Sequence, residues 1–225
     1  MSTLPILDQL KALGTEQARK TYRKHGVSGD QYGVSYAELK NLKKNIKVNH
    51  DLAKQLWSSG IHDARILALM IADPQDADSV LLDSWADDLE NYPLSDAFSR
   101  YVAQTALAGE KMEQWTQSDS EWIGTTGWNI LRDLATNDKN LPDDYFERYL
   151  MTIERDLHNR KNRVRYAMNS ALITIGGRNP QLEEKALAVA KVIGKVIVDH
   201  GATNCKTPDA ATDIEKMRVH QKSKA

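Results

Sequence analysis

The chain has 225 residues, which is long enough for one large domain or two small ones with a substantial core. Its hydrophobic fraction of 41% and charged fraction of 27% are ordinary for a globular protein, and no apolar run approaches the length of a membrane span. The N-terminus has no signal-peptide pattern, so we expect a cytoplasmic protein. The single cysteine, Cys205, excludes an internal disulfide and a cysteine-based zinc site.

Basic and acidic residues are segregated along the chain, although the net charge is only −1. Residues 19–47 contain eight basic and two acidic residues, a second basic cluster surrounds residue 160, and residues 216–224 are basic again. Acidic residues concentrate over 73–96. Segregated charge can give a neutral protein a positive surface that follows phosphates, and solvated helix faces are the alternative interpretation.

The spacing of apolar residues predicts an all-helical protein, because intervals of three and four run nearly end to end and two-residue alternation is scarce. A first helix pair is predicted over residues 4–25, with Thr15 as a cap inside it and Gly26 as the stop. Ser35 with Glu38 three residues later has the capping-box pattern, which predicts a helix over 35–47.

Further helices are predicted between glycine, proline and polar breakers. Three are expected from Asn49 or His50 to Gly60, from there to Asp73, and over 78–91. Pro93 suits the first turn of the next helix, 93–108, which places Asp96 in that first turn, where the helix dipole favours a negative charge. The remaining helices are predicted at about 110–117, 119–136, 142–158, 161–175, 180–199 and 207–221.

About a dozen short helices with short loops favour helix pairs stacked side by side. No exact repeat of about 34 or 40 residues is present, which argues against ankyrin and tetratricopeptide arrays and leaves degenerate HEAT or armadillo-type pairs open. Such a stack presents a concave face suited to an extended partner. No linker interrupts the chain, so we expect one domain over 1–225.

Tyr92 and Asp96 lie four residues apart, so in a helix their side chains share a face with Cβ atoms about 5–6 Å apart. An aromatic ring beside a carboxylate is a favourable environment for a cation. The structural alternative is a half-buried core tyrosine and an aspartate that caps its helix. Phosphate-loop, zinc-protease and serine-hydrolase motifs are absent from the sequence, and the six histidines have no helical ligand spacing, so we expect no metal and no cofactor.

Five strings, in their order and separations, resemble the AlkD-type DNA alkylation repair family of HEAT-like-repeat proteins. They are ARILALMIADP, SWADDLENYPLSDAF, SEWIGTTGWNIL, RVRYAMNSALITIGGRN and DHGATNCKTPDA, and the resemblance covers about 33–210. It implies an all-α, curved solenoid of stacked antiparallel helix pairs that grips double-stranded DNA. Active members of the family are glycosylases that excise cationic alkylpurines such as 3-methyladenine and 7-methylguanine.

The resemblance also implies site residues in the stretch from Trp85 to Asp96, which matches the family pattern W-x-D-D-L-x-x-W-x-x-x-D. Asp96 falls on the catalytic aspartate, and a carboxylate there can stabilise the oxocarbenium ion that develops on the sugar. Tyr92 replaces the family's tryptophan, so the position remains aromatic with a smaller ring. Trp85 matches the first tryptophan of the pattern.

Two later positions depart from the family pattern. In the segment W-I-x-R, Trp122 is retained but Thr125 replaces the arginine, and Ser170 stands where active members have a second tryptophan. A lost stacking aromatic removes roughly 1–3 kcal/mol of base contact, and a lost arginine removes a strong charge-assisted hydrogen bond. Catalysis is therefore in doubt, whereas a basic DNA-binding surface does not depend on these positions.

The sequence supports two main hypotheses. One is a DNA N-glycosylase with Asp96 and Tyr92 as the catalytic pair, and the other is a non-catalytic member of the same fold that binds bent, branched or damaged DNA. A protein-binding scaffold with an apolar groove is a third, different class. We expect a monomer with double-stranded DNA as its partner. Candidate DNA contacts are Trp85, Trp122, Thr125, Ser170, Lys40, Lys43, Lys44, Arg163, Arg165 and Arg178, with Arg160 and Lys161 as further candidates.

Overall fold

The computed structural model describes residues 3–222, with side chains described as far as Arg218. Over this range the chain forms thirteen α-helices, two 3-10 turns and no strand, so the all-α prediction is confirmed. The 3-10 turns are Pro74–Asp76 and Leu157–Asn159. The helices are α1 (Thr3–Leu13), α2 (Glu16–Lys24), α3 (Tyr36–Ile46), α4 (His50–Trp57), α5 (His62–Ile71), α6 (Ser79–Asp87), α7 (Tyr92–Val102), α8 (Ala108–Thr116), α9 (Glu121–Asn137), α10 (Asp143–Asp156), α11 (Asn162–Gly176), α12 (Pro180–Ile193) and α13 (Ala210–Lys222).

Side-chain caps fix the helix starts that the sequence predicted. The Ala18 amide donates to Thr15 Oγ1 at 3.2 Å, and the Glu38 amide donates to Ser35 Oγ at 3.3 Å. Each bond satisfies an amide that has no partner within its own helix. The starts of α2 and α3 are therefore set by local sequence.

Several helices have other bounds than predicted, and most of them are shorter because the chain leaves the helix earlier than the breakers suggested. The predicted helix over 180–199 ends at Ile193, where Gly194 adopts a φ of 60° that favours glycine. The predicted helix over 93–108 begins one residue earlier and ends at Val102, where Thr105 Oγ1 donates to the Val102 carbonyl at 2.8 Å and closes a turn. Likewise, α6 ends at residue 87 rather than 91, and α13 begins at 210 rather than 207.

The contacts divide the chain into two compact units. Among residues 3–222, the first contains those up to Ala108 together with Gly201–Thr203, and the second contains Gly109–His200 and those from Asn204 onward. In the first unit α5 is the central helix, buried along most of its length and packed against α3, α4 and α7. In the second unit α11 is central and packs against α9, α12 and α13. The single domain predicted from the sequence stays a prediction.

Two close approaches show how tightly each unit is packed. In the first, the rings of Trp57 and Trp85 stack at 4.5 Å with an interplanar angle of 10°. In the second, a Cβ at Gly127 would lie only 2.5 Å from the Thr116 amide nitrogen, so α9 meets the end of α8 at a position that only glycine fits. Within residues 3–222, no helix is both long and apolar enough to cross a membrane.

Candidate functional site

The start of α7 brings Tyr92 and Asp96 to one helical face, as their spacing predicted. Asn91, fully buried, is the N-cap, and the Leu94 amide donates to its side-chain oxygen at 3.0 Å. Asp96 is therefore in the second turn of α7 and not in the first, which corrects the sequence-based placement. Because Asn91 does the capping, Asp96 is not needed for it, and both Tyr92 and Asp96 are half-buried.

Tyr92 is held from a second helix. Its hydroxyl forms a hydrogen bond with Nδ1 of His25, the residue that ends α2, and the two rings meet edge-on with centroids 5.8 Å apart. The ring is thus fixed by a polar contact as well as by packing. A fixed aromatic ring next to a half-exposed carboxylate is a preorganised environment for a positively charged ligand.

Tyr36 of α3 lies within electrostatic range of Asp96 and Arg100 of α7, and we call these three residues the α7 cluster. The side chain of Tyr36 is 37% exposed. Burial of its phenol raises the pKa of Tyr36, with Arg100 acting in the opposite direction and the negative charges of Asp96 and Asp63 adding to the rise. Tyr36 is the first residue of α3, so this cluster connects α7 to α3.

A cavity of about 350 Å³ opens beside the α7 cluster, between α3, α5 and α7. Ala97 and Arg100 of α7, together with Tyr36 and Lys43 of α3, line it, while α5 contributes an apolar floor. Tyr101 closes another part of the wall, and its hydroxyl donates to the Asp73 carbonyl at 3.2 Å. The cavity therefore combines an aromatic and apolar interior with two cations.

A row of four exposed lysines follows Tyr36 along α3 and its C-terminus. They are Lys40, Lys43, Lys44 and Lys47. Among the described side chains, none of them is in an ion pair with a carboxylate. The last of them, Lys47, has a φ of 64°, which is a strained conformation for a residue with a Cβ. We call these four residues the α3 lysine row.

The position of α3 depends on a buried carboxylate in α5. Asp63 is fully buried, and its two oxygens accept from the amides of three consecutive residues, at 2.6 Å from Tyr32, 3.2 Å from Gly33 and 2.7 Å from Val34. The segment that leads into α3 is therefore fastened to α5. The α3 lysine row thus follows a segment whose backbone is anchored by three hydrogen bonds.

The structure places Trp85 in the core of the first unit rather than at its surface. It stacks on Trp57, whose indole nitrogen donates to Asp88 Oδ2 at 2.7 Å. Arg65 pairs with the same carboxylate at 3.3 Å and lies over the Trp57 ring. This part of the motif therefore serves packing, and no face of the Trp85 ring is left for a base.

Three predicted site residues lie in the second unit. Trp122 is half-buried in the first turn of α9. Thr125 is only 2% exposed, and its hydroxyl has no hydrogen-bond partner among the described residues. Ser170 donates from its hydroxyl to the Tyr166 carbonyl one turn earlier, at 2.9 Å. Neither replacement offers the charge or the ring surface of the family's arginine and tryptophan.

The arginines of the second basic cluster differ in how many hydrogen bonds their guanidinium groups donate to the backbone. Arg178 donates to the carbonyls of Ala135, Asp138 and Leu141 at 2.7–3.2 Å, and Arg160 donates to the Ser118 carbonyl at 2.6 Å. Both act as clamps within the second unit. The remaining candidates are at the surface to different extents: Arg163, over the Tyr166 ring, and Arg165 are half-buried, and Lys161 is exposed.

Sequence reasoning missed three members of the site. Arg100 lies four residues after Asp96, and Tyr36 lies four and seven residues before Lys40 and Lys43, so helical spacing could have found them. His25 is 67 positions away from Tyr92, and no local signal connects the two residues.

The fold matches a solved structure over nearly its whole length. That structure is of a new family of proteins related to the HEAT-like repeat DNA glycosylases, with affinity for branched DNA structures. It is 28% identical to this chain, covers 98% of this chain and 95% of its own, and superposes with a TM-score of 0.89. The fold is therefore that of the HEAT-like-repeat proteins, and the predicted fold class is confirmed.

Residues 6–214 match the family described as DNA alkylation repair enzyme. The chain belongs to this family, and the resemblance found in the sequence is confirmed. Uncharacterized protein Lin0241 of Listeria innocua is 32% identical over 230 residues, which covers 97% of this chain and 98% of the relative. Uncharacterized protein Lmo0209 of Listeria monocytogenes is 32% identical over 234 residues, which covers 99% and 100%.

Proposed function

We propose that this protein binds double-stranded DNA at branch points, with the α3 lysine row supplying phosphate contacts in the first unit. The observation that carries the proposal is the row itself, because its exposed ammonium groups form no ion pairs with the described carboxylates. Membership of the DNA alkylation repair enzyme family and the likeness to a protein with affinity for branched DNA structures support it. We place this activity in the cytoplasm, and the monomer expected from the sequence stays a prediction.

The residues at the two departing positions of the second unit favour DNA binding without efficient catalysis over glycosylase activity. The position of the family's arginine is held by Thr125, which is buried, and the position of the second tryptophan is held by Ser170, which bonds to its own helix. A phosphate-positioning charge and a stacking surface are thus missing at these two positions. Phosphate contacts made by lysines elsewhere do not require either residue.

The test is a salt titration of DNA affinity by fluorescence anisotropy, with a four-way junction and a linear duplex of equal length. The logarithm of the affinity falls by about 0.9 per logarithm of salt for each neutralised phosphate. Changing Lys40, Lys43 and Lys44 together to Gln is therefore expected to reduce the slope by up to about 2.7 if all three contact phosphates.

A matched control removes three exposed lysines of the second unit, Lys139, Lys191 and Lys195, also to Gln, so that the net charge changes equally. Affinity and salt slope should then change much less than in the α3 variant. Equal slopes in the two triple variants would contradict a role for the α3 lysine row. Absence of junction binding by the wild-type protein would contradict the proposed function as a whole.

A second candidate function is that of a DNA N-glycosylase. It is favoured by Asp96, which is half-buried on the same helix face as Tyr92 and does not cap α7, because Asn91 is the N-cap. The carboxylate would stabilise the sugar cation as a cationic alkylpurine leaves. Release of methylated bases from N-methylated duplex by the wild type, abolished in Asp96→Asn and retained in the exposed Asp87→Asn, would support it. Junction binding without any base release by the wild type would leave binding as the function.

A further inference from the structure

We propose that the cavity between α3, α5 and α7 receives an unpaired nucleotide of bound DNA, with the base inside and its phosphates at Lys43 and Arg100. The proposal rests on the DNA-binding function proposed above and specifies what the first unit recognises. It concerns a site of about 350 Å³ within a single unit. Ligand pockets typically span about 300–1,000 Å³, so this volume is at the small end of that range.

The interior of the cavity is suited to a flat, largely apolar ring. Its floor consists of buried side chains of α5, with Ile66 and Leu69 among them. Two large apolar groups stand at its mouth although they are in contact with water: Tyr36 is 37% exposed and Val48 is 62% exposed. Unstacked bases gain free energy by packing on such aromatic and apolar surfaces without regard to their sequence.

The rim of the cavity is suited to phosphate. Lys43 and Arg100 approach it from two different helices, and both are exposed. The amide of Gln104 lies at the same rim, where it donates to the Arg100 carbonyl at 2.6 Å. A neutral apolar ligand would gain nothing from these two cations. A nucleotide would, because its base can occupy the interior while its negatively charged phosphate remains at the rim.

The same helix connects the cavity to the surface proposed to hold duplex DNA. Tyr36, Lys40 and Lys43 lie at positions i, i+4 and i+7 of α3, so an aromatic wall and phosphate contacts follow one another on one face. In a continuous duplex every base is paired and stacked, so none can enter. An unpaired nucleotide at a branch point or bulge needs no base pair to be broken, and the cavity would therefore discriminate branched from continuous DNA.

The experiment compares a duplex that carries one unpaired 2-aminopurine with a continuous duplex of the same length, by anisotropy and by 2-aminopurine fluorescence. Tyr36→Ala removes the aromatic wall, and Ala97→Leu fills the space from α7. Val80→Ala, on an 80% exposed side chain of α6 outside the cavity, is the control. Free deoxyadenosine monophosphate serves as a competitor, and thermal melts confirm that each variant is folded.

We expect the wild type and Val80→Ala to bind the bulged duplex about tenfold more tightly than the continuous one, which corresponds to about 1.4 kcal/mol. Both cavity variants should lose this preference, keep the affinity for continuous duplex, and no longer change the 2-aminopurine signal. Because the two variants alter different helices, either one decides the matter if the other does not fold.

Four results would overturn the proposal. An intact preference in the cavity variants, or no preference in the wild type, would leave DNA binding standing and remove the cavity from it. Competition by the free mononucleotide as strong as by the bulged duplex would make this a mononucleotide site instead. No binding of any DNA by the wild type would refute the proposed function together with the cavity.

Discussion

His62 makes the stability of the first unit sensitive to acid. The side chain is 1% exposed, its ring meets Tyr22 edge-on at 5.2 Å, and neither ring nitrogen has a hydrogen-bond partner among the described residues. Burial lowers the pKa of His62 from 6.5 to about 4, with the carboxylate of Asp63 acting in the opposite direction and Arg65 adding to the decrease. The imidazole is therefore neutral in the folded protein at pH 7.

The sign of the effect follows from which state binds the proton. Above pH 6.5 the ring is neutral in both states, and the full stability is present. As the pH falls from 6.5 to about 4, the unfolded chain takes up a proton that the folded chain does not, so the free energy of unfolding decreases. A pKa difference of about 2.5, at about 1.4 kcal/mol for each unit, gives roughly 3 kcal/mol when the effect is complete.

His62→Phe removes this titration while it keeps an aromatic ring against Tyr22. Urea unfolding followed by tryptophan fluorescence includes a signal from this unit, because Trp57 and Trp85 are buried in it, while the other three tryptophans lie in the second unit. Between about pH 7 and about pH 4.5, the wild type should lose about 2 kcal/mol more stability than His62→Phe. His158→Gln changes an exposed histidine, and its free energy of unfolding should decrease with falling pH as much as that of the wild type does. Parallel pH profiles for wild type and His62→Phe would refute the reasoning.

Two further substitutions test the segments that lead into and out of α3. Lys47→Gly should raise the free energy of unfolding by about 1 kcal/mol, because glycine adopts positive φ without strain. Lys44→Gly, inside the helix, should lower the free energy of unfolding by about 1 kcal/mol. Urea unfolding measures both variants, and equal destabilisation by the two would contradict the strain at Lys47. Asp63→Asn should cost about 2–4 kcal/mol, because one amide oxygen cannot serve three backbone donors, and its melting temperature should fall well below that of the exposed control Asp87→Asn.

The helices were predictable wherever their signals are local. The caps at Thr15 and Ser35 need only a side-chain oxygen and an amide three residues later, and both form as predicted. Helix ends were less predictable, since the stop at Gly194 and the turn closed by Thr105 lie within stretches whose apolar spacing still looks helical. Periodicity shows which face is apolar but not where the chain stops winding.

The candidate site was predictable only along a single helix. The Tyr92 and Asp96 pair follows from a spacing of four, but the hydrogen bond of Tyr92 to His25 depends on how α2 packs. Charge patterns were the least informative. A basic cluster in the sequence looks identical whether its guanidinium groups are in solvent or, like that of Arg178, are hydrogen-bonded to three backbone carbonyls. Burial separates these cases, and burial is a property of the tertiary fold.

The string from Trp85 to Asp96 combines two kinds of requirement, which explains how family membership and catalysis can separate. Its first half serves packing, since Trp85 stacks on Trp57 and Asp88 holds that indole. Its last residues carry the candidate site, since Tyr92 and Asp96 are half-buried on one face of α7. A chain can therefore keep the string because the fold needs it, while positions in the other unit lose the charge and the ring that catalysis uses. The family match therefore establishes the fold. Catalysis has to be tested separately, by comparing base release by the wild type with base release by Asp96→Asn.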